Sequence, residues 1–448
     1  MSPSRHASLV IIALFYGCRS VEDARRVQHG ENMLPGETTV TATQAGLERA
    51  STNTLSALET LALRYHPSIL QSLQAAEAAR LQCRLTRAGR LPQITASGGY
   101  SRSTQNTRGT PSSGRMQGSW SGGVGIDLLL HDFGKLKAQA RQDSENLIAA
   151  EEQLRETELE VIYNLRVAFY ERHRAAHLLR VALHTEEQYA QHLEEARVMV
   201  EVGTRRQYDV TKAGVDLGNA RLETIAASNS LAVSHARLNR ALGLAENPAY
   251  EVADDITPQA AVKDSDALMA EARANTPALA VLQARERAAS AYVDQTIADL
   301  YPDLSLGANA DISGRNFPLV WNFSWAMRAA QSVFDGHRRT TLIREAVTRL
   351  RTARANLASA EQSLYLDILT ARAQLDTARQ RSEVARMVER QAAENVDVVN
   401  EQYRVGLSSA IERTDAQVAM TKAQSDVIRA RYDERIARAS LLRLTGAL

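Results

Sequence analysis

The chain has 448 residues, with 53 Lys and Arg against 52 Asp and Glu and a formal net charge of +1. That balance supplies no basic surface for nucleic acid, and no such partner is expected. Two cysteines, Cys18 and Cys83, exclude a disulfide-stapled scaffold.

The first segment, 1–18, reads as a secretory signal: Arg5 and His6 precede an apolar run from Leu9 to Tyr16. Cys18 directly after Gly17 suggests lipoprotein processing, in which Cys18 is acylated and becomes the mature N-terminus. Phe15 and Tyr16 stand where such a site usually has Leu and a small residue. The alternatives are an ordinary signal, or a start assigned too early, with Cys18 incidental. With Cys18 removed or acylated, Cys83 has no disulfide partner and packs as a small apolar residue. Residues 19–54 are polar and aperiodic, an N-terminal tether. Elsewhere no apolar run approaches the roughly 18 residues of a membrane-spanning helix. A membrane crossing would therefore have to be a barrel.

From residue 55 the chain is written twice. "RYHPSILQS" (Arg64 to Ser72) answers "ANTPALAVL" (Ala274 to Leu282), and "GRLPQITASGGY" (Gly89 to Tyr100) answers "DLYPDLSLGANA" (Asp299 to Ala310). "LLLHDFGK" answers "QSVFDGHR", and "LNRALGL" answers "LLRLTGA". The copies span 55–244 and 264–448, with an acidic linker, 245–263, holding Pro248 and Pro258. Each copy opens on a helix, 55–89 and 264–299, closed by proline. Two strands follow, about 93–130 and about 303–334. A long helix runs 135–202 and again 337–405, and a shorter helix returns. No proline lies between Pro111 and Pro248 or after Pro318, which leaves room for both long helices.

The strands alternate. Leu304, Leu306, Ala308, Ala310 and Ile312 share one face, opposite Ser305, Asn309, Asp311 and Ser313. Leu319, Trp321, Phe323, Trp325 and Met327 oppose Asn322, Ser324, Ala326 and Arg328, and Trp120, Val124, Ile126 and Leu128 oppose Ser119, Ser121 and Asp127. Apolar-out, polar-in alternation with tryptophans fits an outer-membrane barrel strand; a half-buried soluble sheet alternates too. Four strands cannot close a barrel alone, but an oligomer could.

In the long helices, steps of seven from Leu147 meet Leu154, Val161, Ala168, Ala175, Ala182, Tyr189 and Ala196. The second copy gives Leu350, Leu357, Leu364, Ala371, Ala378, Ala385, Ala392 and Val399. Such a register predicts coiled coil. Each helix would reach about 100 Å, a length suited to spanning a wide gap. Gly203 and Gly406 end the outgoing helices and make hairpin tips, "VGTRRQYD" and "VGLSSAIE", with Asp209 and Glu412 each six residues past the glycine.

This order, twice over, resembles the TolC-like outer-membrane efflux channels, and the cysteine near the N-terminus is similar to their lipoprotein branch. Leu91-Pro92 and Tyr301-Pro302 before the strands, Asp132-Phe133-Gly134 and Phe334-Asp335-Gly336 after them, and the Val-Gly tips carry the resemblance. It implies a mainly α protein with a membrane β-barrel portion. A duplicated helix–strand–strand–long helix–helix repeat would form a homotrimer with a twelve-stranded barrel in outer-membrane lipid and a long α-helical barrel through the periplasm. The trimer would be a passive exit duct without enzymatic activity or cofactor, beyond a covalent lipid on Cys18. It would dock to a periplasmic adaptor and, through it, to a proton-driven inner-membrane transporter. Val202, Gly203, Thr204, Val405, Gly406 and Leu407 would meet the adaptor. Glu412 and Asp415 would form acidic rings narrowing the entrance, with Asp209 near them, and Tyr403 would help hold it shut. The basic partner usual two residues after the glycine is Ser408 here, so Arg205 or Arg206 would substitute. A periplasmic or surface coiled-coil scaffold without a pore is the alternative.

Other chemistry falls away. "HDFG" at His131 to Gly134 copies a kinase triplet but lacks a glycine-rich loop, strand lysine and catalytic loop. His173 and His177 lie one helical turn apart with no third ligand in view, and read as a surface pair rather than a metal site.

Overall fold

The computed structural model describes residues 52–104, 116–248, 250–253 and 264–448. The first copy gives β1 (Thr52–Asn53), α1 (Leu55–Tyr65), α2 (Pro67–Ala88), β2 (Gln93–Thr104), β3 (Met116–His131), α3 (Lys135–Glu201) and α4 (Gln207–Ala241). The second gives β4 (Glu251–Val252), α5 (Ser265–Asn275), α6 (Pro277–Ala298), β5 (Asp303–Gly314), β6 (Val320–Ala330), α7 (Arg338–Arg404) and α8 (Ala410–Leu444).

The opening helix of each copy is two helices, not the single one expected. Pro67 and Pro277 occupy the first position of α2 and α6, where the missing N–H costs nothing. The residues before them are forced out of the α region: His66 sits at φ −66, ψ 127 and Thr276 at φ −74, ψ 115. Parts of the expected tether and linker also meet, since β1 and β4 pair in parallel through Thr52↔Glu251 and Asn53↔Val252.

The described residues form two compact units, and each draws on both copies. One gathers 76–150 and 282–356 and holds a four-stranded antiparallel sheet in the order β2-β3-β5-β6. The copies join there through the β3–β5 pair. Between the helices of this unit run Lys135–Asp299 at 2.6 Å, Arg287–Glu145 at 2.7 Å and a hydrogen bond from Thr86 to buried Asp143. Cys83 is buried here and is in no disulfide among the described residues.

The other unit, 52–75, 151–281 and 357–448, is helical apart from the β1–β4 bridge. Its two cores repeat the duplication. Leu58, Ala62, Ile69, Val161, Leu165, Ala168 and Leu238 form one, and Leu268, Ala272, Leu279, Leu364, Ile368, Ala371 and Leu441 the other. Each large aliphatic side chain sealed there contributes about 1.5–3 kcal/mol. Every heptad site from Leu147 to Ala196 and from Leu350 to Val399 is buried or half-buried. No helix among the described residues is long and apolar enough to cross a membrane.

Candidate functional site

The sheet sorts its side chains by chemistry across all four strands. One set of rows runs Ile94–Ile126–Ala308–Trp325 and Ala96–Val124–Ala310–Phe323; Gly98–Gly122–Ile312–Trp321 continues it. The opposite set runs Thr95–Gly125–Asn309–Ser324 and Ser97–Gly123–Asp311–Asn322. The cause is the two-residue period of the strand, kept in register from one strand to the next. The apolar rows remain open in the protomer: Trp321 is 70%, Phe323 62% and Trp325 67% exposed. A patch of that size marks a surface that another phase or molecule covers. Aromatic groups close both ends of this face. Tyr100 packs on Trp120 at 4.7 Å, with Phe317 6.4 Å beyond; at the other end His131, Phe133 and Tyr301 follow one another at 4.6 and 5.3 Å. Gly118 makes the first contact possible, because a Cβ there would lie 2.4 Å from the Tyr100 hydroxyl.

The second site is the pair of hairpin tips. Both outgoing helices end with the same backbone device. Gly203 (φ 77) donates to Val200 O at 3.0 Å and Thr204 to Met199 O at 2.9 Å; Gly406 (φ 83) donates to Tyr403 O at 3.2 Å and Leu407 to Gln402 O at 2.8 Å. This is the left-handed glycine cap that satisfies the last helix carbonyls. Val202, Val405 and Leu407 project from the tips, Leu407 being 81% exposed.

Behind the tips the structure brings Arg205 and Tyr403 together. The Arg205 guanidinium donates to the backbone carbonyls of Tyr403 and Ser408 at 3.1 and 3.4 Å, and lies 4.4 Å over the Tyr403 ring. Arg413 takes the ring from a second position at 4.8 Å. It also bonds Asn400 at 2.9 Å and Glu195 at 2.8 Å. Tyr403 is only 3% exposed, so the ring is held between two cations in a desolvated place, where cation–π attraction is strongest. Arg206, the other candidate, is instead the uncapped N-cap residue of α4.

Glu412 and Asp415 part company. Glu412 accepts from the Ser409 N–H at 2.7 Å and the Ser408 hydroxyl at 2.8 Å, while the Ser409 hydroxyl accepts from the Glu412 N–H at 3.2 Å. That is a capping box at the start of α8. The bond from the Ser409 backbone, then those from the Ser408 and Ser409 hydroxyls, hold the carboxyl below its usual range. Asp415 is exposed and makes no hydrogen bond or ion pair among the described residues, and the half-exposed Asp209 carboxylate makes none either.

Sequence reasoning missed a polar ladder behind this site. Thr185 meets Thr421 at 3.2 Å, Gln188 meets Gln417 at 2.5 Å, and Asp216 accepts from Thr414 at 3.0 Å and from Lys212 at 3.0 Å. Burial pushes the Tyr189 phenol up to about 12, helped by Asp216 and Asp415. Burial, and then Arg413, push the His192 imidazole down to about 4. Asn400 and Arg413 flank Gly406 almost evenly, a spacing that could have revealed them once the turn was placed.

His173 and His177 are not a surface pair. His173 is buried against Phe169 with ring centroids 4.6 Å apart, and His177 lies 5.8 Å from the Tyr432 ring. The helix turns this face inward, so His173 packs as a core residue. No group of three or more His, Cys, Asp or Glu among the described residues is placed to hold a metal ion. Cys18 and the segment 1–18 lie outside the described residues.

A two-faced sheet joined to paired coiled hairpins is the architecture of an outer-membrane channel. The sequence profile named Outer membrane efflux protein matches residues 39–244 and 268–447, and the chain belongs to that family. The chain is 22% identical over 379 residues to the probable outer membrane lipoprotein SilC of Salmonella typhimurium, covering 83% of this chain and 80% of that one. Among solved structures, a membrane protein from Pseudomonas aeruginosa superposes with a TM-score of 0.79 at 21% identity, over 88% of this chain and 93% of that one. The Campylobacter jejuni CmeC outer membrane channel gives 0.78 at 15% identity, over 88% and 85%. The chain is thus an outer-membrane exit duct.

Proposed function

We propose that three copies close a single twelve-stranded barrel in the outer membrane, lipid-anchored through Cys18 after removal of the signal, and that the barrel opens into a tunnel of helical hairpins. The observation that carries this reading is the sheet. Its apolar face is open along its length, and among the described residues β2 and β6 are unpaired on their outer edges. Eight strands are about the minimum for closure, and hydrocarbon tolerates no open strand edge. Both edges must therefore pair with further copies. A pore-free coiled-coil scaffold has no use for such a sheet.

The duct is passive and non-enzymatic. Val202, Gly203, Thr204, Val405, Gly406 and Leu407 form the knobs that a periplasmic adaptor engages, linking the duct to an inner-membrane transporter driven by protons. The Arg205–Tyr403 contact holds the two tips of one chain together and restrains the entrance. Asp415 supplies the acidic ring that favours cations, since its carboxylate is free of bonds; Glu412 is committed to the α8 cap, and Asp209 lies in the same first turn of the other return helix.

Single-particle imaging of protein extracted from outer membranes tests this reading. The expected particle has threefold symmetry and a short β-barrel continuous with a helical one. A soluble particle without a barrel overturns it.

A further inference from the structure

The strands meet the helices at one end of the sheet, and that end carries cations whose side chains no described residue pairs. Arg87 and Arg90 close α2 and its exit, Lys137 lies in the first turn of α3, and Arg338 begins α7. All four are exposed, and none of their side chains has a hydrogen-bond or ion-pair partner among the described residues. The acids nearby are already engaged. Asp132 accepts from the N–H groups of Gly134 and Leu136 at 3.1 and 2.5 Å, and Asp335 from that of Arg339 at 3.2 Å. Asp299 pairs with Lys135 at 2.6 Å, and Asp303 lies in the field of the same lysine.

The cations stand next to the apolar end of the sheet. Leu91, Phe133, Tyr301, Val333 and Phe334 are all exposed there. Going outward from the strands, the surface passes from aliphatic to aromatic to cationic. A bilayer changes in the same order, from hydrocarbon through the interface to phosphate, with the headgroup zone only a few ångströms deep. Arginine and lysine stems lie along apolar surface while their heads reach phosphate.

We propose that Arg87, Arg90, Lys137 and Arg338 form a collar that binds the phosphates of anionic phospholipids in the leaflet facing the periplasm. The proposal rests on the outer-membrane reading. The collar selects charged lipids around the barrel and fixes its depth in the bilayer.

Trp120 and Trp321 lie at the turn end of the strands and Trp325 midway, so all three are changed to Phe and Phe133→Trp supplies a single reporter beside the cations. This reporter protein is reconstituted into phosphatidylcholine vesicles doped with brominated phosphatidylglycerol or with brominated phosphatidylcholine, and tryptophan quenching is compared. Brominated phosphatidylglycerol is expected to quench several-fold more effectively, and the excess to shrink as salt is raised. A variant combining Arg87→Gln, Arg90→Gln, Lys137→Gln and Arg338→Gln is expected to lose the excess while brominated phosphatidylcholine quenches it as before. That second signal separates the two readings. Quenching by neither lipid overturns the membrane placement, and this proposal with it. Equal quenching by both in the reporter protein with its four cations intact, or an excess that survives in the variant, overturns the collar alone. A variant that shows no change with lipid but no longer sediments with peptidoglycan assigns the cations to the cell wall and overturns the lipid assignment.

Discussion

The two hairpin tips share a turn and differ in the side chains around it. Each outgoing helix ends on a left-handed glycine with the same pair of backbone bonds. Beyond the glycine, the second tip starts its return helix with the Ser409–Glu412 box and buries Tyr403 behind it, whereas the first starts on Arg206 with no side-chain cap. The first tip spends its other arginine, Arg205, on the second tip's carbonyls and ring. Duplication has kept the backbone and divided the labour: the second tip caps its own return helix, and the first reaches across to hold it.

The strongest way to break this asymmetry is to remove what both arginines hold. Tyr403→Ala should cost about 3–5 kcal/mol, the usual loss for a sealed aromatic ring, read as a fall in thermal or denaturant stability. Tyr403→Phe should change stability by less than about 0.5 kcal/mol, because the hydroxyl makes no hydrogen bond among the described residues. A large loss in the Phe variant would mean that the hydroxyl, rather than the stacked ring, secures the tip.

A smaller change should make the tips alike. Ser409→Ala should destabilise by about 1 kcal/mol, and Arg206→Ser with Asp209→Glu should stabilise by a similar amount by writing the missing box into α4. Hydrogen exchange at the first turns of α4 and α8 would follow both changes. If the rewritten first tip exchanges as fast as before, capping does not explain the difference.

The mildest probe is acid. The His192 pKa in the folded chain is about 4, against an ordinary 6.5. Between those values the unfolded chain binds a proton that the folded chain refuses, so stability is full above about pH 6.5 and falls as pH drops towards 4. Burial lowers the His66 pKa as well and adds the same sign. Arg413, Glu195 and Asp216 are the charges that face His192. Unfolding midpoints measured across this range should slope less in His192→Leu; an unchanged slope would place the acid sensitivity elsewhere.

Most of the architecture was legible because it is periodic. Heptads from Leu147 and Leu350 announce coiled helices, and the alternation around Trp321 and Trp325 announces a two-faced strand, since both periods follow from backbone geometry. The break at Pro67 is legible in the sequence, since proline lacks a helix donor and suits a first helical position. The β1–β4 bridge was not legible, because two residues carry no period. The site was harder. Ser409 to Glu412 reads as a capping box in sequence, yet the resemblance drew Glu412 towards the pore. Arg413 belongs to no motif in the sequence. Its role depends on Glu195 and Asn400, which only the folding of α3 and α7 brings to it.

The unpaired outer edges of β2 and β6 bear on how such a chain is made. An edge strand offers its backbone to any extended segment it meets, and the sheet has two such edges, β6 beside open Trp321, Phe323 and Trp325 and β2 beside open Ile94 and Tyr100. A lone protomer in transit is therefore a template for misassembly as much as a building block. In the proposed ring, closure of each edge against the next copy removes that hazard. A copy defective in one strand would block the edge it joins, and would poison assemblies that contain sound copies too.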